Sequence, residues 1–149
     1  MRFTKMHGTG NDFVVLDGTR FAADWAALAV PMNDRHFGVG GDGLIVALPS
    51  SGADLRMRMF NPDGSEAEMC GNGIRCLAKY AVERGLVPAG DAVRIETLAG
   101  NLTCELRRDG GTVTAVRVSM GEPRLDPCEI PVLAEQAPPV LGFPVRVCG

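Results

Sequence analysis

A cysteine flanked by glycines at the start of a helical pattern is the strongest chemical signal in the sequence. Cys70 is followed directly by Gly71, Asn72 and Gly73, and apolar residues recur at helical spacing from Ile74 onward. Unpaired backbone N–H groups and the positive end of the helix dipole both favour a thiolate at this place. The same N–H groups, uncrowded at the two glycines, can hold a carboxylate. The pattern therefore indicates a base for removing a proton next to a carboxylate.

The other thiols give no comparable signal. The chain has five cysteines, an odd number without a Cys-x-x-Cys pair, and only two histidines, so neither a disulfide framework nor a metal site is predicted. Cys76 lies six residues beyond Cys70, roughly 240° around a helix, so it is expected to pack on another face. The alternative for Cys70 itself is a small buried apolar residue, which is what a single cysteine most often is.

The pattern after Cys70 predicts one buried helix. Its apolar stripe recurs at i, i+3, i+4, i+7 and i+8, at Ile74, Leu77, Ala78, Ala81 and Val82. Arg84 and Gly85 supply the basic last turn and the terminal glycine that are typical of a helix end. An Asn-Pro-Asp-Gly turn, which begins at Asn61, precedes the whole motif.

The N-terminal segment combines two predicted strands with a polar connection. Residues 2–6 predict a short edge strand, residues 7–12 a tight polar loop and residues 13–16 a compact strand. Asn11 lies in the loop. Its side chain can stabilise the turn or point into a site, and the residues alone slightly favour the turn.

A glycine-rich segment at residues 38–43 fits the letters Gly-x-Gly-x-x-Gly. A dinucleotide fingerprint needs a strand before it and a helix after it. Here a predicted helix over residues 24 to about 33 comes first, with Asp24 as its N-cap and Pro31 ending or kinking it, and a strand over residues 44–48 follows. Because the order is reversed, we predict no dinucleotide site.

The remaining segments alternate with the period of half-buried strands. They cover residues 55–59, 93–97, 102–107 and 113–120. Short turns join the last three, so the pattern predicts an antiparallel meander beside a buried helix and the α+β class.

Composition limits the type of protein. The 149 residues are 46% hydrophobic and 22% charged, which is typical of a globular chain long enough for one ordinary domain. A net charge of -3 and a pI near 5.3 argue against a nucleic-acid surface. No secretory leader or membrane-spanning stretch is predicted, and a cytoplasmic protein follows by default.

Six of the ten prolines fall after residue 120, so residues 1–120 are predicted as one domain and residues 121–149 as a linker with the start of a second, truncated one. A further strand is predicted over residues 143–148.

Five stretches together resemble the diaminopimelate epimerase family. The residues that carry the likeness are His7-Gly8-Thr9-Gly10-Asn11-Asp12-Phe13, residues 34–43, Asn61-Pro62-Asp63-Gly64-Ser65-Glu66, residues 68–76 and residues 116–123. The resemblance implies two pseudo-symmetric halves, each a curved, mostly antiparallel sheet around a central helix. It also implies interconversion of LL- and meso-diaminopimelate, a step towards lysine and peptidoglycan, without pyridoxal phosphate or metal. The family uses two cysteines for the acid/base transfer.

The resemblance assigns roles to five residues. Cys70 matches the first catalytic cysteine, Gly71 and Asn72 match the backbone N–H pair that binds the substrate carboxylate, and Asn11 and Asn61 match two substrate-contacting asparagines. These matches raise both asparagines above the turn-forming interpretation.

The family's second half has no counterpart in this sequence. It supplies the other catalytic cysteine and the groups that grip the distal end of the substrate, and Cys104, Cys128 and Cys148 lack the matching neighbours. The chain is therefore interpreted as the N-terminal half of an epimerase, inactive by itself. A homodimer of two such halves, which would face Cys70 against its own copy, is a further hypothesis.

The residues are also compatible with two other functions. One is a different cofactor-independent isomerase or racemase of the same fold. The other is a non-catalytic fragment, either a binding domain or one in which Cys70 is a redox-sensitive thiol.

Overall fold

A computed structural model describes residues 1–130, 132–133, 139–144 and 146. Within these residues, strands and helices follow in the order β1 (Phe3–Gly8), β2 (Asn11–Asp17), α1 (Trp25–Asn33), β3 (Gly43–Leu48), β4 (Leu55–Phe60), β5 (Glu66–Ala67), α2 (Gly71–Glu83), β6 (Ala92–Thr97), β7 (Gly100–Asp109) and β8 (Thr112–Val118).

All the strands of the described chain form one sheet. Its order is β1-β2-β3-β4-β6-β7-β8, and the short β5 pairs with β4 beside this path. The β2–β3 and β4–β6 pairs are parallel, and the other pairs are antiparallel. Helix α2 contacts both outer strands, β1 and β8, as well as the strands between them. The predicted class, a curved and mostly antiparallel sheet around a central helix, is confirmed.

Strands β2 and β3, in the middle of this part of the sheet, are covered on both faces. Alternate residues of β2 point to opposite sides, so Phe13 and Val15 pack with α2 while Val14 and Leu16 pack with α1. Trp25 of α1 is one of the buried side chains on that second side. Because β2 and β3 are buried on both faces, they read as continuous apolar runs rather than as alternating ones.

Both helices begin at the predicted caps. Asp24 Oδ1 accepts a hydrogen bond from the Ala27 N–H at 3.0 Å, and α1 ends two residues after Pro31. Helix α2 closes with Gly85 at φ 67°, where the Leu86 N–H donates to Ala81 O at 2.8 Å. With the accompanying bond from the Gly85 N–H to Val82 O, this is a Schellman motif.

The first connection is shorter than predicted. Strand β1 continues through Gly8 and β2 begins at Asn11, so the expected loop over residues 7–12 is a two-residue turn at Thr9 and Gly10. Both turn residues have positive φ, 53° and 88°, as in the type I′ turns whose twist matches paired strands. Threonine is unusual in this conformation, so the sequence contains no typical signal for a two-residue turn here. The polar residues on either side therefore indicated a longer loop.

Several smaller predictions can be compared with the structure. The two-residue β5 was not predicted, and β8 ends at Val118 rather than at Met120. The predicted strand over residues 143–148 lies partly outside the described residues, and the division into two domains stays a prediction. No helix in the described part of the chain has the length and apolarity needed to cross a membrane.

Candidate active site

Cys70 is the N-cap of α2. Its backbone is extended, with φ -140° and ψ 117°, and its half-buried Sγ accepts a hydrogen bond from the Gly73 N–H at 3.4 Å. Its carbonyl accepts the first helical bond, from the Ile74 N–H at 2.9 Å. A Cβ at Gly73 would lie 2.9 Å from Ile45 Cδ1, so the helix start lies close against the sheet and a larger residue here would displace the end of the Ile45 side chain.

The first turn of α2 leaves backbone donors for a ligand. Gly71 and Asn72 occupy the first two helical positions, whose N–H groups have no acceptor within a helix. Among the described residues no other acceptor is found for them. These two donors, beside the Cys70 thiol and at the positive end of the helix, can bind a carboxylate.

The β1–β2 hairpin touches this helix start. The Thr9 hydroxyl donates to Asn72 Oδ1 at 3.0 Å, and a Cβ at Gly8 would lie 3.0 Å from the Asn72 carbonyl oxygen. Asn11, the first residue of β2, pairs with Gly8 across the hairpin. The fold therefore brings the Asn11 segment, predicted for substrate contact, against the helix that carries Cys70.

The Asn11 side chain is not used to hold the turn. Its Oδ1 is buried and has no hydrogen-bond partner in the described part of the chain. A buried amide oxygen without a partner costs free energy, so such an atom calls for a functional explanation. The slight preference for a turn-stabilising role, drawn from the residues alone, has no support in these contacts.

Asn61 shows the opposite behaviour. Its side-chain Nδ2 donates to Ser65 Oγ at 2.9 Å, and its backbone N–H donates to Ser65 O at 2.8 Å. Asp63 Oδ1 in turn accepts from the Ser65 hydroxyl at 2.6 Å. These bonds form a closed turn over residues 61–65, so the structural role of Asn61 is visible and its substrate contact stays a prediction.

Arg75 supports the first turn of α2, and this role was not identified from the sequence. Its Nη2 donates to Asn72 Oδ1 at 2.6 Å and its Nη1 donates to Gly71 O at 2.8 Å. Because the Asn72 oxygen accepts from the guanidinium of Arg75, which can only donate, the orientation of its amide is fixed. The signal in the sequence was the spacing, since Arg75 lies three residues after Asn72 on one helix face.

An ion pair fixes the segment that leads to Cys70. Arg58 Nε and Nη2 donate to the two carboxylate oxygens of Glu66 at 2.6 and 2.7 Å. This pairing holds the pKa of Glu66 below its ordinary value and raises the pKa of Arg58. The bidentate contact ties β5 to β4 four residues before the catalytic candidate.

The other described thiols differ from Cys70 in their surroundings. Cys76 is 4% exposed and Cys104 is fully buried, and both belong to the core around α2, as predicted for Cys76. Burial raises the pKa of the Cys76 thiol, and it raises the pKa of Cys104 to about 11. Cys128 is exposed. Cys148 lies outside the described residues.

We expect iodoacetamide at pH 8 to modify Cys128 and Cys70 in the native protein and to spare Cys76 and Cys104. The thiolate is the reactive form, and a pKa of about 11 leaves roughly one Cys104 thiol in a thousand ionised at that pH. Peptide mass spectrometry with and without urea measures the difference. Native labelling of Cys104 as fast as Cys128 would contradict the described burial.

In the part of the chain that the structure describes, no group of three or more His, Cys, Asp or Glu side chains is placed to hold a metal ion. The start of α2 offers the chemistry of a thiol beside backbone anion donors.

Comparisons with known proteins identify the family of this chain. The family model described as diaminopimelate epimerase matches residues 3–125. The diaminopimelate epimerase of Pelotomaculum thermopropionicum is 56% identical over all of this chain and 54% of its own length, and that of Caldanaerobacter subterraneus is 50% identical over all of this chain and 53% of its own. The chain thus spans about half the length of these relatives.

A solved structure supports the fold independently. The hydroxyproline epimerase from Agrobacterium vitis, with bound trans-4-hydroxy-L-proline, superposes on 79% of this chain and 40% of its own with a TM-score of 0.64 and 19% identity. At that identity the likeness concerns the fold alone. Taken with the family match and the sequence identities, these findings show that the chain belongs to the diaminopimelate epimerase family.

Proposed function

We propose that the whole protein is a cofactor-independent amino-acid epimerase that interconverts LL- and meso-diaminopimelate, with Cys70 as one of its two acid/base groups. The observation that carries the proposal is the position of the Cys70 thiol at the N-terminus of α2, beside the N–H groups of Gly71 and Asn72 that have no protein acceptor in the described chain. The membership of the family narrows the substrate class to a small amino acid.

The residues suggest how the reaction proceeds. The Cys70 thiolate removes the α-proton from one face of the substrate carbon, and negative charge moves onto the carboxylate. The N–H groups of Gly71 and Asn72 then stabilise more charge in the transition state than in the ground state, which lowers the barrier. Asn11 and Asn61 contribute substrate contacts, for which the unpaired Oδ1 of Asn11 is the clearest support.

Inversion requires a second group on the opposite face of the carbon, which returns a proton there. Cys76 and Cys104 are buried in the core, and Cys128 lacks the glycine-rich helix start seen at Cys70, so none of the three fits that role. We therefore assign the second thiol to the part of the family's length that this chain does not span. The 149-residue chain alone is then expected to give no turnover.

Proton exchange in deuterated water tests the function. With the whole protein, NMR is expected to show loss of the α-proton signal of LL-diaminopimelate together with appearance of the meso form. The 149-residue chain, shown to be folded by circular dichroism, is the comparison and is expected to give neither. Proline and trans-4-hydroxyproline serve as competing substrates. Inversion of one of these, with diaminopimelate left unchanged, would instead identify a different racemase of the same fold.

A further inference from the structure

Four charged side chains meet beside the turn end of the β1–β2 hairpin. Arg35 Nη2 donates to Asp12 Oδ1 and to Asp42 Oδ1, both at 2.7 Å, and Arg35 Nη1 donates to Asp12 Oδ2 at 3.2 Å. Lys5 Nζ lies 2.7 Å from Asp12 Oδ2 and also donates to Gly40 O. The hydrogen bond from Arg35 is the main reason why the pKa of Asp12 lies well below its ordinary value.

Backbone bonds join the same two segments. The Asp12 N–H donates to Asp42 Oδ2 at 3.0 Å, and the Asp42 N–H donates to Asp12 O at 2.7 Å. Asp12 is therefore fixed through its N–H, its carbonyl and its carboxylate at once. An ion pair with this many shared partners is a network rather than an isolated surface pair.

The glycine-rich segment is what allows this approach. A Cβ at Gly38 would lie 2.0 Å from the Pro31 carbonyl oxygen, so the chain can fold back over the end of α1 only with glycine there. Gly40 has φ 77°, which favours glycine. A Cβ at Gly41 would lie 3.1 Å from Lys5 Nζ and 3.3 Å from Asp12 O. The Gly-x-Gly-x-x-Gly pattern thus serves close packing of the chain on the hairpin.

The position of the Asn11 side chain depends on this arrangement. Its buried Oδ1 has no hydrogen-bond partner in the described chain, so no hydrogen bond to that oxygen holds the side chain in place. Its place is set by the backbone, and the next residue is the multiply bonded Asp12. We propose that residues 34–43 act as a clamp on the β1–β2 hairpin, with Arg35 as a positioning residue that holds Asn11 where the substrate needs it. The proposal rests on the proposed function.

Lysine cannot replace Arg35 in this role. The planar guanidinium reaches both oxygens of Asp12 and one oxygen of Asp42 from one rigid fork, whereas an ammonium group is a single flexible point charge. The variant Arg35→Lys keeps the charge and removes the fork. Arg94→Lys is a matched control. Arg94 lies on β6, is also exposed, and pairs with a single carboxylate, that of Asp54, at 3.8 Å.

A double-mutant cycle in the whole protein tests the proposal. Arg35→Lys is expected to raise KM for diaminopimelate by about 10- to 100-fold, the cost of misplacing a substrate contact, while Arg94→Lys leaves it unchanged. In an Asn11→Ala background, Arg35→Lys is expected to raise KM no further, because Arg35 acts through Asn11. Equal effects of Arg35→Lys with and without Asn11 would overturn the proposal.

A second readout does not depend on turnover. Amide hydrogen exchange at Asp12 is expected to accelerate in Arg35→Lys and not in Arg94→Lys, because the clamp holds that N–H. Should the wild-type protein fail to act on diaminopimelate, the proposed function falls and this measurement still tests the clamp. Unchanged exchange at Asp12 would show that Arg35 does not hold the hairpin and would overturn the clamp. If Arg35→Lys lowers stability, Asp42→Asn is a milder second variant. It is expected to accelerate hydrogen exchange at Asp12 as well, because Asp42 Oδ2 accepts from that N–H.

Discussion

Replacing Cys70 with alanine in the whole protein is expected to lower kcat for diaminopimelate epimerisation by roughly 10²- to 10⁴-fold, the usual contribution of a positioned acid/base group. The change removes the group that takes or returns the α-proton, while the carboxylate donors at Gly71 and Asn72 are backbone groups and remain. KM should therefore change much less than kcat. Coupled assays of the meso product, with substrate binding by calorimetry, separate the two effects.

Cys76→Ala is the matched control for this loss. Cys76 lies on the same helix but is 4% exposed within the core, so its truncation is expected to cost about 1 kcal/mol of stability and to leave kcat near the wild-type value. Cys70→Ala should show the opposite pattern, with a small change in the free energy of unfolding. Full turnover by Cys70→Ala would remove Cys70 from the mechanism and with it the central argument for the site.

The position of Cys70 could be predicted because helix caps are local. The apolar stripe from Ile74 onward places one helix face in the core, and the glycines beside the cysteine mark the start, so neighbouring residues were sufficient. The end of the helix at Gly85 could be predicted for the same reason, and the structure adds the Schellman hydrogen bonds. The alternating strands and the α+β class likewise follow from periods that are read within one segment.

Pairings between distant segments could not be predicted in this way. The parallel alignment of β2 with β3 places Phe13 opposite Gly43, across a helix and a glycine-rich connection. Nothing local in either segment specifies that partner, because apolar runs are compatible with many alignments. The Arg35 network depends on such an alignment, so it became visible only in the fold.

The two asparagines show how the same limit affects the site. Both matched substrate-contacting residues by resemblance, and both also suited turns. The fold closes the Asn61 side chain into a turn with Ser65 and leaves the Asn11 oxygen without a described partner. Whether a polar side chain forms its hydrogen bonds within its own loop depends on its rotamer and its neighbours, which composition does not specify.

Gly8→Ala is expected to lower kcat/KM by about 10- to 100-fold with little loss of stability, because small displacements of catalytic groups have effects of this size. Gly8 has no positive φ, so its backbone accepts alanine. The new Cβ would, however, lie 3.0 Å from the Asn72 carbonyl oxygen and 3.2 Å from Asn72 Cβ. The hairpin that carries Asn11 must then move a few tenths of an ångström away from the start of α2.

Gly10→Ala provides the control in the same hairpin. Gly10 has φ 88°, and a Cβ there would meet nothing within 4 Å. Alanine should therefore cost about 1 kcal/mol or more in backbone strain without pushing on Asn72. Thermal unfolding and steady-state kinetics of the two variants should thus give opposite results, activity lost in Gly8→Ala and stability lost in Gly10→Ala. Equal losses of activity would mean that the hairpin responds to any disturbance, whereas the predicted contrast would place catalytic geometry in the contact between Gly8 and Asn72.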